Sequence, residues 1–353
     1  MTVLRLPPFD LIAPRTVAEA ADALAHHGPS ARLIAGGTDV LPNLKRGLAA
    51  PDVLVSLAGV ESLRGIRPAA DPRPSANGLR GPTRPPSTGA PEGITIGAAT
   101  RLNRLMADPA VCQAFPVISD AVGQIAPPTL RRMGTVGGNL CLDTRCTFYN
   151  RPALWREGAG DCMKHEGDVC RVAPGGERCW ATLSADLPPV LVALDAVVRL
   201  TSARGDRVLA LGDLYRDDGL PHLALAPDEI LAEVWVPVWG SRAAFLKLRP
   251  RCAVDFASLG VAVAVDVADG ICRRARIVLG AVASHPLRVP AAEAALCDRA
   301  PDATAIRAAA DAAYDAARPM DNADQPPAYR RQMVRVMVAR ALRAALGQPP
   351  STR

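Results

Sequence analysis

The sequence predicts an α+β protein in two parts, and three observations lead there. Short apolar strands alternate with capped helices over the first half. An alternating segment, Ile230 to Pro237, reads as a strand that ends at a proline, before a boundary near 238–242. Beyond it, strands at 243–249, 257–267 and 274–283 give way to an Ala/Arg-rich helical tail. A chain of 353 residues with 49% hydrophobic content is long enough for two or three cores. The expected division is 1–237 and 238–353.

The elements follow from local signals. Thr16-Val17-Ala18-Glu19 has capping-box spacing, Ala20, Ala21, Leu24 and Ala25 supply a helical apolar face, and Gly28-Pro29 ends that helix. Arg32-Leu33-Ile34-Ala35 reads as a short buried strand running into Gly36-Gly37-Thr38-Asp39 and a helix from Val40. Strand, glycine pair, hydroxyl and helix together present backbone N–H groups to a phosphate. Val53 to Leu57 is a second strand beside the first. Residues 67–92 carry seven prolines and few apolar side chains, so they are expected to form a solvated insertion. Structure resumes at Gly93 to Thr100, with Thr100 as cap for a helix bearing Leu102, Leu105 and Met106 and a further helix over 111–124. The runs 190–194 and 196–200 are β-prone. The tail predicts helices at 291–297, 302–317 and 328–346.

Composition excludes some functions. The net charge is +6 with a pI near 9.0, but the arginines are spread along the chain and aromatic residues make up 4%, too few for a base-stacking surface. No apolar stretch reaches the ~20 residues of a membrane span, and Met1 to Pro8 lacks a signal-peptide core. The expected location is cytoplasmic. Nine cysteines fit paired disulfides poorly, and clustered thiols in a reducing compartment suit metal. Four of them, Cys146, Cys162, Cys170 and Cys179, fall in one short segment. Cys112, Cys252, Cys272 and Cys297 read as core residues, and Cys141 as a buried thiol. His26, His27, His222 and His285 pair with no base or nucleophile, and His165 is expected in solvent.

A second glycine run, Gly134-Thr135-Val136-Gly137-Gly138-Asn139, lies about 100 residues after the first. Either loop alone is an ordinary strand–turn–helix. Together they can clasp the two ends of one extended cofactor, with Thr38, Thr135 and Asn139 donating to its oxygens.

The combination of Ala35-Gly36-Gly37-Thr38-Asp39, Ile94-Thr95-Ile96-Gly97-Ala98, Thr135-Val136-Gly137-Gly138-Asn139 and Ser184-Ala185-Asp186-Leu187-Pro188-Pro189 resembles the FAD-binding subunit of the xanthine dehydrogenase family of molybdenum hydroxylases. The likeness runs from about residue 5 to 346. It implies a two-part FAD-binding domain of the vanillyl-alcohol-oxidase type, followed by a smaller domain of antiparallel strands and helices. It also implies that Ile34, Ala35, Gly36, Gly37, Thr38, Asp39, Val40 and Leu41 wrap the pyrophosphate. Ile125 and Leu231 fall near the flavin, Thr135, Gly138 and Asn139 contact the cofactor, Asp186 is an acidic contact and Lys247 a flavin-region lysine. Plain core packing suits Ile125 and Leu231 equally well, and Lys247 equally suits an exposed strand.

The four clustered cysteines lie where this chain departs from that pattern. Asn139 and Asp186 are 47 residues apart, far more than the family spacing, so 142–182 reads as an insertion. Within it the cysteines are separated by 16, 8 and 9 residues. Four thiolates suit a cubane cluster or structural zinc; zinc loops favour Cys-x-x-Cys pairs, which are absent, so a cluster is preferred. The insertion resembles that of the 4-hydroxybenzoyl-CoA reductase subfamily, which implies a [4Fe-4S] cluster on Cys146, Cys162, Cys170 and Cys179. The chain shows no catalytic constellation of its own, so its chemistry is that of its cofactors. The expectation is an electron-transfer subunit fed by ferredoxin, partnered by a small [2Fe-2S] subunit and a large molybdopterin subunit, as a dimer of heterotrimers. The alternatives are a hydroxylase flavin subunit that passes electrons to NAD or a quinone, and a zinc-clipped scaffold without catalysis.

Overall fold

The computed structural model describes residues 5–72 and 93–348. Strands β1 (Asp10–Ile12), β2 (Ala31–Ile34) and β3 (Val53–Ser56) form a parallel sheet in the order β1-β3-β2. Helix α1 (Val17–His27) joins β1 to β2, and its Ala20, Ala21 and Leu24 bury against Val53 and Val55. Its cap forms much as expected. Thr16 Oγ1 accepts from Glu19 N at 3.1 Å, while the Glu19 carboxylate accepts from Arg15 N at 2.7 Å, one residue outside the expected pair. Strand β2 is half-buried rather than buried, because Ala31, Arg32 and Leu33 border a cleft.

A second, antiparallel sheet has the order β4-β5-β8-β6-β7, built from β4 (Ile66–Ala69), β5 (Gly93–Gly97), β6 (Val197–Ser202), β7 (Gly205–Ala210) and β8 (Ile230–Pro237). The start of the proline-rich segment is therefore not solvated insertion. Residues 66–69 pair with β5, and Pro68 sits on an edge strand, where a missing N–H costs nothing. Residues 73–92 of that segment lie outside the described residues.

The same part of the chain also holds α2 (Val40–Lys45), α3 (Leu102–Ala107), α4 (Pro109–Ala114), α5 (Pro116–Gly123), α6 (Pro128–Arg131), α7 (Val136–Leu140), α8 (Ala153–Ala159) and α9 (Leu187–Ala193). Three expectations change here. The helix expected over 111–124 is two helices, α4 and α5, broken at Phe115 because Pro116 has no N–H to continue the ladder. Thr100 is not a cap, since its hydroxyl is engaged with the backbone of Gly65. Residues 190–193 of the β-prone run lie in α9, every residue of which is buried, and Leu194 caps it. Pro188 and Pro189 fill its first turn, and so short an apolar run carries no period that separates helix from strand.

The last part is an antiparallel sheet, β12-β11-β10-β9, made of β9 (Arg242–Leu248), β10 (Leu259–Ala268), β11 (Ile271–Gly280) and β12 (Leu287–Arg288). Alternation along β10 divides its faces. Val261, Val263 and Val265 pack on α10 (Pro290–Ala294), α11 (Ala303–Ala316) and α12 (Pro327–Ala345), while Ala262 and Ala264 face the core of the first part. Of the scattered cysteines only Cys272 is buried. Cys112 and Cys252 are exposed, so the core assignment fails for those two, while Cys297 is half-buried and packs against the core of the last part.

One buried cation ties the parts together. Arg330 on α12 is 0% exposed and its guanidinium donates to Ser258 O at 2.8 Å, Met320 O at 2.8 Å, Asn322 Oδ1 at 3.2 Å and Ala281 O. Asn322 in turn donates to Trp180 O at 2.5 Å and accepts from Thr147 N at 3.2 Å, both in the cysteine segment. Burial lowers the Arg330 pKa to about 10, which leaves it charged near neutrality. Arg330→Leu strands these acceptors in the interior. We expect a loss of about 3 kcal/mol and a melting temperature lower by roughly 5–10 °C, read by thermal denaturation; an unchanged midpoint would contradict this role.

Candidate functional site

Two glycine-bearing loops meet edge to edge. A Cβ added to Gly36 would lie 2.0 Å from Met133 O, so only glycine lets the first loop reach the second. Gly37 turns the chain at φ +69°, and Gly137 packs against Ala98 with its N–H donating to Ala98 O at 2.7 Å. The loops border a cleft of about 620 Å³, within the range of a cofactor pocket.

Most of the expected site residues face this cleft. Ala35, Gly36, Gly37, Thr38, Asp39, Val40, Ile125, Thr135, Gly138, Asn139 and Leu231 line it; Ile34, Leu41, Asp186 and Lys247 do not. Ile34 and Leu41 sit behind Gly37 and support its turn. The two loops offer different donors. Among the described residues the N–H groups of Gly37 and Thr38 meet no protein acceptor. The N–H groups of the second loop are largely used internally. Its Thr135 Oγ1 accepts from Gly138 N at 3.1 Å, keeping the hydroxyl proton free to donate, and Asn139, which lines the cleft, accepts from Leu187 N through Oδ1 at 3.1 Å, so its amide N–H groups are not used in that contact. The Asp39 carboxylate turns elsewhere, to Arg145 Nη2 at 2.6 Å and Asn43 Nδ2 at 3.0 Å. Burial pushes that carboxyl up, against the pull of Arg145.

Asp186 and Lys247 form a buried pair at 2.7 Å, with side-chain exposures of 5% and 1%. Lys247 is thus neither exposed nor free. It also donates to Gln124 O at 3.1 Å, beside Ile125. Burial raises the Asp186 carboxyl to about 6, with Lys247 opposing, and Asp186 Oδ1 is left without a hydrogen-bond partner. An orphaned buried oxygen of this kind marks a place where a ligand donor fits.

The four clustered cysteines converge. Cys146, Cys162, Cys170 and Cys179 are free and buried, with three of them packed around Leu48, Tyr149 and Ala181. Burial raises the Cys146 thiol, and Cys162 and Cys170 lie near enough to raise it further; Cys179, pushed up to about 11 mainly by burial, also feels Cys170 and Cys146. Backbone N–H groups point at the sulfurs, those of Phe148 and Tyr149 at Cys146 and that of Ala181 at Cys179 at 3.4 Å. Gly167 permits the tight turn after Cys162, since a Cβ there would meet Asp161 O at 2.2 Å. Among the described residues the trio whose ligand atoms fall within 4.8 Å of one another is Asp161, His165 and Glu166, not any three of these cysteines. Tetrahedral zinc would need sulfurs about 3.8 Å apart, from Zn–S of about 2.3 Å. His165 is not in open solvent either, since its ring faces Asp161 at 3.0 Å.

Sequence reasoning missed several residues. Arg131 Nη1 donates to Ile125 O at 2.7 Å and Ala126 O at 2.5 Å, clamping a turn in which Ala126 has φ +44°. Leu220, His222, Leu223 and Leu225 line the cleft from the loop before β8, and Phe256 from the last part, with Arg145 stacked over its ring at 3.9 Å. Three leucines within six residues of a Gly/Pro/Asp loop were a usable signal; Arg131 and Phe256 carried none. Cys141 lines the cleft half-buried, its thiol pushed up to about 12 by burial and so protonated.

Comparison with known proteins agrees with this geometry. A family model described as the FAD binding domain in molybdopterin dehydrogenase matches residues 7–72 and 87–239, and the CO dehydrogenase flavoprotein C-terminal domain matches 244–345. The chain is 30% identical over 353 residues to the 6-hydroxypseudooxynicotine dehydrogenase complex subunit alpha of Paenarthrobacter nicotinovorans, covering 99% of this chain and 98% of that one. It is 34% identical over 291 residues to an aldehyde oxidoreductase FAD-binding subunit of Escherichia coli K12, covering 80% and 83%. A carbon monoxide dehydrogenase structure from Hydrogenophaga pseudoflava superposes with a TM-score of 0.75 at 28% identity, covering 97% and 99%.

Two outcomes follow for the cleft. Gly36→Ala drives a methyl into Met133 O and should weaken FAD binding at least about tenfold, about 1.4 kcal/mol, in a flavin fluorescence titration; unaltered affinity would refute the two-loop clasp. Because burial raises Asp186, its contribution to stability is present below the ordinary carboxylate range and lost as pH climbs through about 6. Asp186→Asn should flatten that part of the pH–stability profile of flavin-free protein in chemical denaturation.

Proposed function

Because this chain belongs to the FAD-binding subunits of the molybdenum hydroxylase family, with xanthine and carbon monoxide dehydrogenases, we propose that it relays electrons through FAD and a [4Fe-4S] cluster held by Cys146, Cys162, Cys170 and Cys179. The cofactors supply one- and two-electron transfer when bound; the chain's residues bind and orient them. Gly37 and Thr38 offer N–H groups to the pyrophosphate, Thr135 and Asn139 offer side-chain donors, and the buried Asp186–Lys247 pair braces Gln124 beside Ile125. The reading also places the chain beside a small [2Fe-2S] subunit and a large molybdopterin subunit. The substrate site belongs to the latter.

The observation that carries the cluster is four free, buried thiols, drawn from one 34-residue stretch, with backbone N–H groups directed at two of them. The lack of any Cys-x-x-Cys pair among these four supports a cluster over a single zinc ion. For the reaction, the likeness of the insertion to that of 4-hydroxybenzoyl-CoA reductases supports inward flow, from ferredoxin towards reduction of an aroyl thioester. The 34% identity to an aldehyde oxidoreductase subunit favours a second reading, oxidation of an organic substrate with electrons leaving through this chain. Both readings use the same residues, and the substrate separates them.

The anaerobically purified complex should contain about four irons and as much acid-labile sulfide per copy of this chain, beyond those of the [2Fe-2S] subunit. Cys162→Ser should lose that iron and keep FAD. Flavin with neither excess iron nor sulfide would remove the cluster. Reduction of 4-hydroxybenzoyl-CoA by reduced ferredoxin, against oxidation of aromatic aldehydes with an artificial acceptor, decides the direction.

A further inference from the structure

Lys164 stands out once the cysteine pocket and the cleft are both on view. It lies between Cys162 and Cys170, yet its side chain is only 4% exposed. All three ammonium protons have acceptors: Asp143 Oδ1 at 2.8 Å, Thr144 Oγ1 at 2.7 Å and Gly219 O at 2.6 Å. A lysine with its three donors so filled is a fixed charge. Burying an ammonium is expensive, and a neutral side chain could tie the same segments together at lower cost.

The surroundings show what the charge faces. Gly219 gives its carbonyl to Lys164 and its N–H to Cys179 O at 2.8 Å, and a Cβ on it would strike Ala181 at 2.8 Å, so the ammonium is held close to the Cys179 turn. On its other side Asp143 lines the cleft, next to His222, which also lines it. Burial alone would raise the Asp143 carboxyl, but Lys164, with lesser help from Arg32, holds it below its usual value and therefore ionised. Burial keeps His222 below its ordinary value and so neutral, with Nε2–H donating to Leu142 O at 3.1 Å. The pair is thus a buried dipole, positive toward the cysteine pocket and negative toward the flavin cleft.

We propose that the Lys164–Asp143 pair is an electrostatic positioning element that sets the potential step between the two redox sites, making the cysteine-held centre easier to reduce and the cleft-bound flavin harder. The proposal rests on the cluster reading above. An electron arriving at a [4Fe-4S] centre lowers its charge by one, and a fixed ammonium nearby stabilises that extra negative charge; the carboxylate at the cleft opposes the same gain on the flavin.

The test is a dithionite titration of the whole complex, followed by electron paramagnetic resonance for the cluster and visible absorbance for the flavin. Lys164→Met should shift the cluster's reduction equilibrium at least about tenfold toward the oxidised form, about 59 mV for one electron. Asp143→Asn should shift cluster and flavin the opposite way, the flavin more, and Lys164→Arg should hold the cluster near its original potential. Mere loosening of the loop cannot move two potentials in opposite directions in the two variants. If Lys164→Met fails to assemble, Asp143→Asn and Lys164→Arg carry the test. Variants with full iron and flavin whose potentials stay within about 10 mV of the parent overturn this proposal alone. A parent complex without the additional iron and sulfide overturns the cluster reading and this proposal with it.

Discussion

The cleft depends on one close approach. Gly36 and the carbonyl of Met133 occupy space that no other residue would leave open, and that contact brings loops 100 residues apart in sequence to opposite walls of one groove. Each loop then contributes what its local structure leaves over. The first turns through Gly37 and keeps free N–H groups. The second winds into α7, consumes its own N–H groups, and keeps a hydroxyl and an amide. The polar lining is therefore divided between backbone and side chain, which follows from how each loop is terminated.

Around that groove the molecule fastens its parts with buried charges rather than apolar contact alone. Lys247 joins the last sheet to Asp186 at the head of α9 and to the end of α5. Arg145 joins the first loop, through Asp39, to the cysteine segment and stacks on Phe256 of the last part. Arg330 joins α12 to residues 320–322 and so to Thr147 and Trp180. Each such group is costly to bury unless every partner is in place, so these contacts fix geometry more than they add stability. That is what the proposed relay needs, since transfer depends on separations held constant.

Much of this was legible in the residues. The glycine pairs, the hydroxyls beside them and the crowded cysteines announce themselves because each needs a particular residue type at a particular place. The strand β8 and the helical tail followed from periodicity. What stayed hidden has physical reasons. The run 190–194 is apolar on every side, so no period distinguishes α9 from a strand. Lys164 and Arg131 look like any surface cation, because their partners are carbonyls and a carboxylate brought near only by folding. Phe256 and the 220–225 loop reach the cleft from distant parts of the chain, and composition does not report such meetings.

The tie from α12 to the cysteine segment also imposes an order of events. Asn322 and Arg330, whose hydrogen bonds brace Trp180 and Thr147, lie far downstream of the segment they hold, with 142 residues between Asn322 and Trp180. Chains fold from the N-terminus during synthesis, so the four thiols emerge well before the ties that brace their segment. A chain cut short before α12 would carry the same cysteines on a segment without that brace.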